Sequence, residues 1–190
     1  MSSSDTSELL DRVPFVQSVV AGLAAWIASF VVIAILVAAT EDGDDLVGFT
    51  GNVIYSSHFV ESTIDVSTVL FTETRHENLL AEGYTELSEL VYYAVPIVVL
   101  LAVGLLLVRA LDIHDTEIAA IAGGATALGY VVLTVAGTYI FEFEQEITAQ
   151  GQAIGEATIT PELGLVTVVV MGLLYPIVFG AIGGVIGSRL

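Results

Sequence analysis

Four long stretches of this chain hold no charged side chain. Val13–Ala39, Leu90–Val108, Ile118–Phe141 and Leu163–Ser188 lack Asp, Glu, Lys and Arg, and the polar residues crowd into the segments between them. Crossing a bilayer core as a helix takes about 20 mostly apolar residues. The pattern therefore predicts four membrane spans, at about 13–39, 90–110, 118–141 and 163–187. The fold class expected is an all-α membrane protein: an antiparallel four-helix transmembrane bundle, one integral membrane domain over 1–190, with a small acidic extracellular cap made by loops 40–89 and 142–162. Met1–Asp11 is polar and acidic, and the first apolar run exceeds the 7–15 residues of a signal-peptide core, so that span is expected to be retained.

The connections read less clearly. "FTGNVIYSSHFVESTIDVSTVLF" mixes β-branched and aromatic residues with polar ones and predicts short strands or an interfacial segment. "TRHENLLAEG" predicts a short helix, with Thr74 as N-cap, Glu77 completing a capping box and Gly83 as C-cap. Thr85, Ser88 and Glu89 lead into the second span. "FEFEQEITAQGQAIGEATITPELG" is expected to extend the third helix before turning at Pro161, and Asp115 or Thr116 to cap that helix at its start.

Within the last span, Gly172, Pro176, Gly180 and Gly184 recur every four residues, and Gly183 and Gly187 widen the same face. A water-soluble helix would lose roughly 1 kcal/mol at each glycine. In lipid, small residues instead let helices approach closely, so these positions are expected to be helix-packing surface. Gly104 joins them through an internal repeat. Aligned on Pro96 and Pro176, the pairs Ile97/Ile177, Val98/Val178, Gly104/Gly184 and Arg109/Arg189 coincide without a gap, and Val20–Trp26 echoes Ile121–Ala127. Both hairpins start on the same side, which describes a parallel repeat about an axis along the membrane normal. Trp26, near the middle of the first span, is expected to pack rather than anchor at the interface.

The third span carries Thr126, Tyr130, Thr134 and Thr138 at the same spacing. One reading makes this hydroxyl stripe a polar pathway for a small solute. The other makes it interhelical hydrogen bonding, worth about 0.6 kcal/mol per contact, and threonine satisfies itself readily on its own helix.

Charge sets the orientation. Arg12, Arg109 and Arg189 flank spans on one side, and basic residues beside spans stay cytoplasmic, so both termini are expected inside the cell membrane. The two long connections hold 16 of the 22 acids against Arg75 alone. There is no Lys, and the net charge is -18. Such a balance argues against nucleic acid as a partner. With the acid excess on both sides of the membrane, it fits a halophilic protein working in salt that screens self-repulsion.

Candidate chemistry is thin. Cys is absent, which removes thiol catalysis and cysteine metal sites. No ionisable residue lies deep in a span, as proton pumps and voltage sensors require. His114 stands among Asp112, Asp115 and Glu117 in a short turn. His76 stands with Glu73 and Glu77, but "HENLL" lacks the second histidine of a zinc HExxH motif. His58 is separate. The expectation is no catalytic residue, no metal and no cofactor, with an enzyme site in the His58–Glu77 loop as the remotest alternative.

The Ala/Gly-rich "VVAGLAAW", the lysine-free acidic chain and the closing "YPIVFGAIGGVIG" resemble small multi-pass membrane proteins of haloarchaea, most of them uncharacterised. The resemblance covers the spans and not the loops, and implies an archaeal membrane location without assigning a function. The function expected is that of a non-enzymatic accessory or assembly subunit, acting through helix packing and its extracellular loop. Its partners would be the lipid bilayer and either further copies of itself or another membrane protein. The alternative is a small solute transporter or channel using the third-span hydroxyls.

Overall fold

A computed structural model describes residues 10–41, 45–68, 70–149 and 152–190. The polar N-terminal stretch before Leu10, on which the expectation of a retained first span rests in part, lies outside them. Four helices are long and apolar enough to cross a membrane: α1 (Phe15–Thr40), α3 (Glu89–Ala110), α4 (Thr116–Gly137) and α5 (Val166–Gly187). Their bounds fall within four residues of those expected. The third span stops at Gly137 rather than running on to Phe141, because the chain there turns into a strand.

A fifth helix and a sheet complete the fold. Helix α2 (Leu46–Ser56) follows α1. Strands β1 (Ser62–Thr68), β2 (Thr72–Glu77), β3 (Phe143–Ala149) and β4 (Gln152–Pro161) form one antiparallel sheet in the order β2-β1-β4-β3. The all-α expectation is therefore corrected to a mixed α and β architecture. "TRHENLLAEG" is not a helix: Thr74 pairs with Asp65 and Glu77 with Ser62 in the β1–β2 ladder. Nor does "FEFEQEITAQ" extend the third helix, since Glu144 pairs with Thr158 in β3–β4. The second segment alternates aromatic residues with glutamates over Phe141–Glu144, a period that suits a half-covered strand. Gly83 does hold a left-handed turn, at φ +76°, though it ends no helix.

The pairing of β1 with β4 joins the α1–α3 connection to the α4–α5 connection. Both connections therefore lie at the same end of the bundle, and the spans run alternately up and down. Each half of the chain places a β-hairpin between two spans, a feature outside the span-to-span repeat read from the sequence. The sheet is not repeated, however. Equivalent strands of two related hairpins would meet at its centre, whereas here the first strand of one meets the second strand of the other. Among the described residues, helix α2 has no counterpart in the second half.

One core fills the bundle, around Ile33, Val37, Tyr92, Leu100, Tyr130 and Met171. Trp26 stacks on Phe30 and Phe141, with centroids 5.8 and 6.0 Å away, so the lone tryptophan packs between α1 and the start of the cap. A smaller core of Ile64, Leu79, Ala157 and Ile159 lies under the sheet. Asp115 caps α4, its Oδ1 accepting from the Glu117 and Ile118 N–H groups at 3.0 and 3.3 Å.

The sheet carries an unfavourable pair. Glu146 of β3 sits directly opposite Glu156 of β4, where like charges cost up to about 1 kcal/mol. The screening length shrinks from about 10 Å at 0.1 M salt to about 3 Å at 1 M. Moving the protein from molar to dilute salt is thus expected to loosen the sheet while the helices persist. Circular dichroism with limited proteolysis reads this directly. Equal protection of segments 62–77 and 143–161 in both salts would count against it.

Candidate functional site

Helix α2 is buried from Gly48 to Ser56 apart from partly covered Phe49, on every side and not along one stripe. It starts at Asp45, whose Oδ1 accepts the Gly48 N–H at 2.9 Å. A Cβ added to Gly48 or Gly51 would run into Phe143 or Phe141, so the two glycines let the helix lie against the start of β3. Asn52 then ties three pieces of chain together. Its Nδ2 donates to the carbonyls of Gly48 and Phe141 at 3.0 and 2.9 Å, and its Oδ1 accepts from the Ser62 hydroxyl at 2.7 Å. Asn78 closes the far end by donating to the Ser56 and Val60 carbonyls.

The C-terminal half of α2 dips between the spans. The Tyr55 hydroxyl donates to the Thr134 carbonyl of α4. Ser57 and His58 follow, both fully buried, and the chain reverses at Phe59, which takes φ 63° and stacks on Tyr93 of α3 at 4.8 Å. Tyr130, the residue that meets His58, lies seven residues before the end of α4 at Gly137. By helical rise that is about 10 Å inside the bundle.

His58 belongs to no span and is nonetheless enclosed by them. Its Nδ1 lies 2.8 Å from the Ile54 carbonyl, which can only accept, so Nδ1 carries the proton. Its Nε2 is then free to accept from the Tyr130 hydroxyl at 3.0 Å. The Ser57 hydroxyl donates to the same Ile54 carbonyl at 2.7 Å and lies 3.2 Å from Nδ1. Tyr175 of α5 covers the ring, with centroids 4.9 Å apart. Every polar atom of the imidazole is therefore used by the neutral form. Burial lowers its pKa from 6.5 to about 4, and the Ile54 carbonyl pulls only partly the other way.

The two spans that meet His58 both depart from regular helix. Helix α4 tightens over Thr126–Gly129, where the Thr126, Leu128 and Gly129 N–H groups bond three residues back and the Thr126 hydroxyl donates to the Gly123 carbonyl at 2.7 Å. Helix α5 is a wide π-helix over Val166–Leu174 and again over Pro176–Gly180, with the Tyr175 N–H reaching the Val170 carbonyl five residues back. Pro176 supplies no N–H, and the widened turns carry the helix past it without a break.

The expected packing residues sit at the crossing beside this site. A Cβ on Gly180 would fall 2.8 Å from the Thr126 hydroxyl and closer still to the Gly123 carbonyl. Gly184 faces Ala119 of α4, and Gly183 and Gly187 face Leu101 and Leu105 of α3. Gly104 faces Gly180 itself, Gly172 faces the Val131 side chain, and Pro176 is buried. The glycine face thus divides between two neighbours, α3 and α4.

The hydroxyl stripe lies within the bundle. Thr126, Tyr130 and Thr134 are buried in protein. Thr134 donates to the Tyr130 carbonyl at 3.1 Å and Thr138 to the Val135 carbonyl at 2.8 Å, so the threonines are spent on their own helix. Among the described residues, the Tyr130 hydroxyl is the one of the four that hydrogen-bonds beyond its own helix, to His58. His76 and His114 stay at the surface, 3.6 Å from Glu162 and 3.3 Å from Asp112. Among the described residues, no three His, Asp or Glu side chains converge to hold a metal ion.

His58 carries no local motif and stands in a connection rather than a span, so its place in the sequence does not reveal that it is buried between spans. The available signal was its company. "GNVIYSSH" places small and hydrogen-bonding residues on all faces of a helix, which suits a segment enclosed on every side.

The chain belongs to a family of unknown function, DUF7978, whose model matches residues 1–190. No curated protein and no solved structure matches it.

Proposed function

We propose that this member of the DUF7978 family is a non-enzymatic multi-pass protein of the cell membrane that holds a rigid acidic β-cap outside, as an accessory or assembly subunit. One observation carries this reading. The two connections on the arginine-poor side, which belong to different hairpins, are joined into one sheet through β1 and β4. Asn52 and Asn78 bind that sheet to the bundle through α2. A chain organised in this way presents a shaped surface, while Asn52, His58, Thr126 and Thr134 spend their polar atoms on partners inside the fold. Both termini and the Leu111–Asp115 turn are then cytoplasmic, on the side of Arg12, Arg109 and Arg189. The acid excess on both faces supports work in high salt. The transporter alternative rests on the hydroxyl stripe, and the inward-bonded threonines speak for packing instead.

The absence of cysteine makes a single test direct. Ser67→Cys, exposed on β1, is treated in intact cells with a membrane-impermeant, cleavable crosslinker, and Asp115→Cys serves as the inside control. The expected result is reaction at position 67 alone, with recovery of one membrane-protein partner, or a second copy of this chain, in stoichiometric amount. Reaction at position 115 would overturn the orientation. Efficient labelling at position 67 with no protein attached would overturn the accessory role.

A further inference from the structure

A cavity of about 450 Å³ opens where the cap meets the bundle, between α2 and the β3–β4 hairpin. Phe49 of α2 and Phe143 of β3 line it and meet edge to face, with centroids 5.9 Å apart at 90°. Tyr84 lines another side, and the buried Leu79 and Ile159 extend the apolar lining. Around this lining stand Glu41, Asp45, Glu144 and Glu146, with no basic side chain among the described lining residues. Two of these carboxylates are held in place by backbone donors: Asp45 accepts from the Gly48 N–H at 2.9 Å and Glu41 from the Glu86 N–H at 2.7 Å.

We propose that this cavity binds a small organic cation: an alkyl- or arylammonium ion with an apolar body, held against Phe49, Phe143 and Tyr84 and neutralised by the surrounding carboxylates. An anion is repelled by four negative groups. A bare metal ion finds no convergent ligand set, since these carboxylates are spread around the cavity, and a hydrated one gains nothing from an aliphatic and aromatic lining. A neutral apolar molecule would fill the lining but leave the carboxylates uncompensated. An ammonium ion with an apolar body uses both features at once, through cation–π attraction to the rings and charge pairing at the rim.

Titration calorimetry on the full chain in detergent, at one fixed ionic strength, tests this with benzyltrimethylammonium as the probe. Benzyl alcohol is the neutral comparison and potassium ion the inorganic one. Saturable one-to-one binding of benzyltrimethylammonium is expected, with no saturable binding of the other two. Phe143→Leu should weaken it about fivefold, the usual scale of one aromatic contact with a cation. The double variant Glu144→Gln with Glu146→Gln should weaken it comparably, and Glu117→Gln, at the opposite end of the bundle, should leave it unchanged. Should Phe143→Leu disturb the cap, the glutamine pair decides alone, because both side chains are exposed on β3. Equal binding of benzyl alcohol, no saturable heat with the ammonium probe, or an affinity untouched by the glutamine pair would each overturn the proposal.

Discussion

Gly180→Leu is expected to cost the bundle about 3 kcal/mol or more and to lower its thermal midpoint in detergent by roughly 10 °C. At position 180 the obstacle is backbone. The first carbon of any side chain would fall below the 3.0 Å that real Cβ atoms respect, against the Gly123 carbonyl of α4. Gly104→Leu is expected to behave alike, since its Cβ would meet the Gly180 carbonyl from α3. Neither carbonyl can rotate away without breaking its own helix. Two physical accounts predict opposite signs here. Helix propensity alone would make leucine stabilising by close to 1 kcal/mol, whereas steric exclusion makes it strongly destabilising. Leu106→Ile is the control: Leu106 is exposed on α3, and the change conserves volume, so its effect should stay below about 1.5 kcal/mol. Leucine variants as stable as the parent would show that the helices can separate at this crossing without loss.

Acid is expected to weaken the protein through His58, and removing that histidine should remove the effect. The folded imidazole has its pKa lowered to about 4, and the unfolded one takes the ordinary 6.5. Between those values the unfolded chain binds the extra proton and the folded chain does not, so stability falls as pH falls. The contribution is fully present above pH 6.5 and declines by roughly 3 kcal/mol as pH drops to about 4. A proton arriving at Nε2 also turns the Tyr130 hydroxyl from donor to acceptor. Tyr130 of α4, Tyr175 of α5 and the Ile54 and Ser57 groups face the ring, and none of these carries a charge that would compensate. Denaturation followed by the fluorescence of Trp26 at pH 7 and pH 4.5 measures the loss. His58→Gln should be less stable than the parent at pH 7, by about 1–2 kcal/mol for the disturbed hydrogen bonds, yet nearly indifferent to the same pH change. Everything outside position 58 is common to the two proteins and cancels in the comparison. An identical pH dependence in parent and variant would exclude His58 as its source.

The two predictions rest on parts of the chain that were unequally legible. Gly180 and Gly184 share a helix face by spacing alone, but that Gly180 meets Gly123 while Gly183 meets Leu101 depends on how α3, α4 and α5 cross. Tyr130 was visible as part of a hydroxyl stripe. Its partner was not, because His58 lies 72 residues away on another element. "TRHENLLAEG" carries correct local signals for a helix, yet Thr72–Glu77 pairs with β1 instead. A ladder of backbone hydrogen bonds outweighs a capping box worth about 1 kcal/mol.

What the sequence determined by itself is the number and place of the spans and the concentration of acid between them. Those properties are local: a run of some 20 uncharged residues is apolar whatever it touches, and its length alone decides whether it can cross a bilayer. The tertiary structure alone decided that two separate acidic connections become one sheet, and that α2 folds inward and carries a neutral histidine into the bundle. Both depend on partners distant in the chain. Strand β4 is useful to β1 only once α4 and α5 have brought it there, and α2 shows no apolar stripe because each of its faces is covered by a different neighbour.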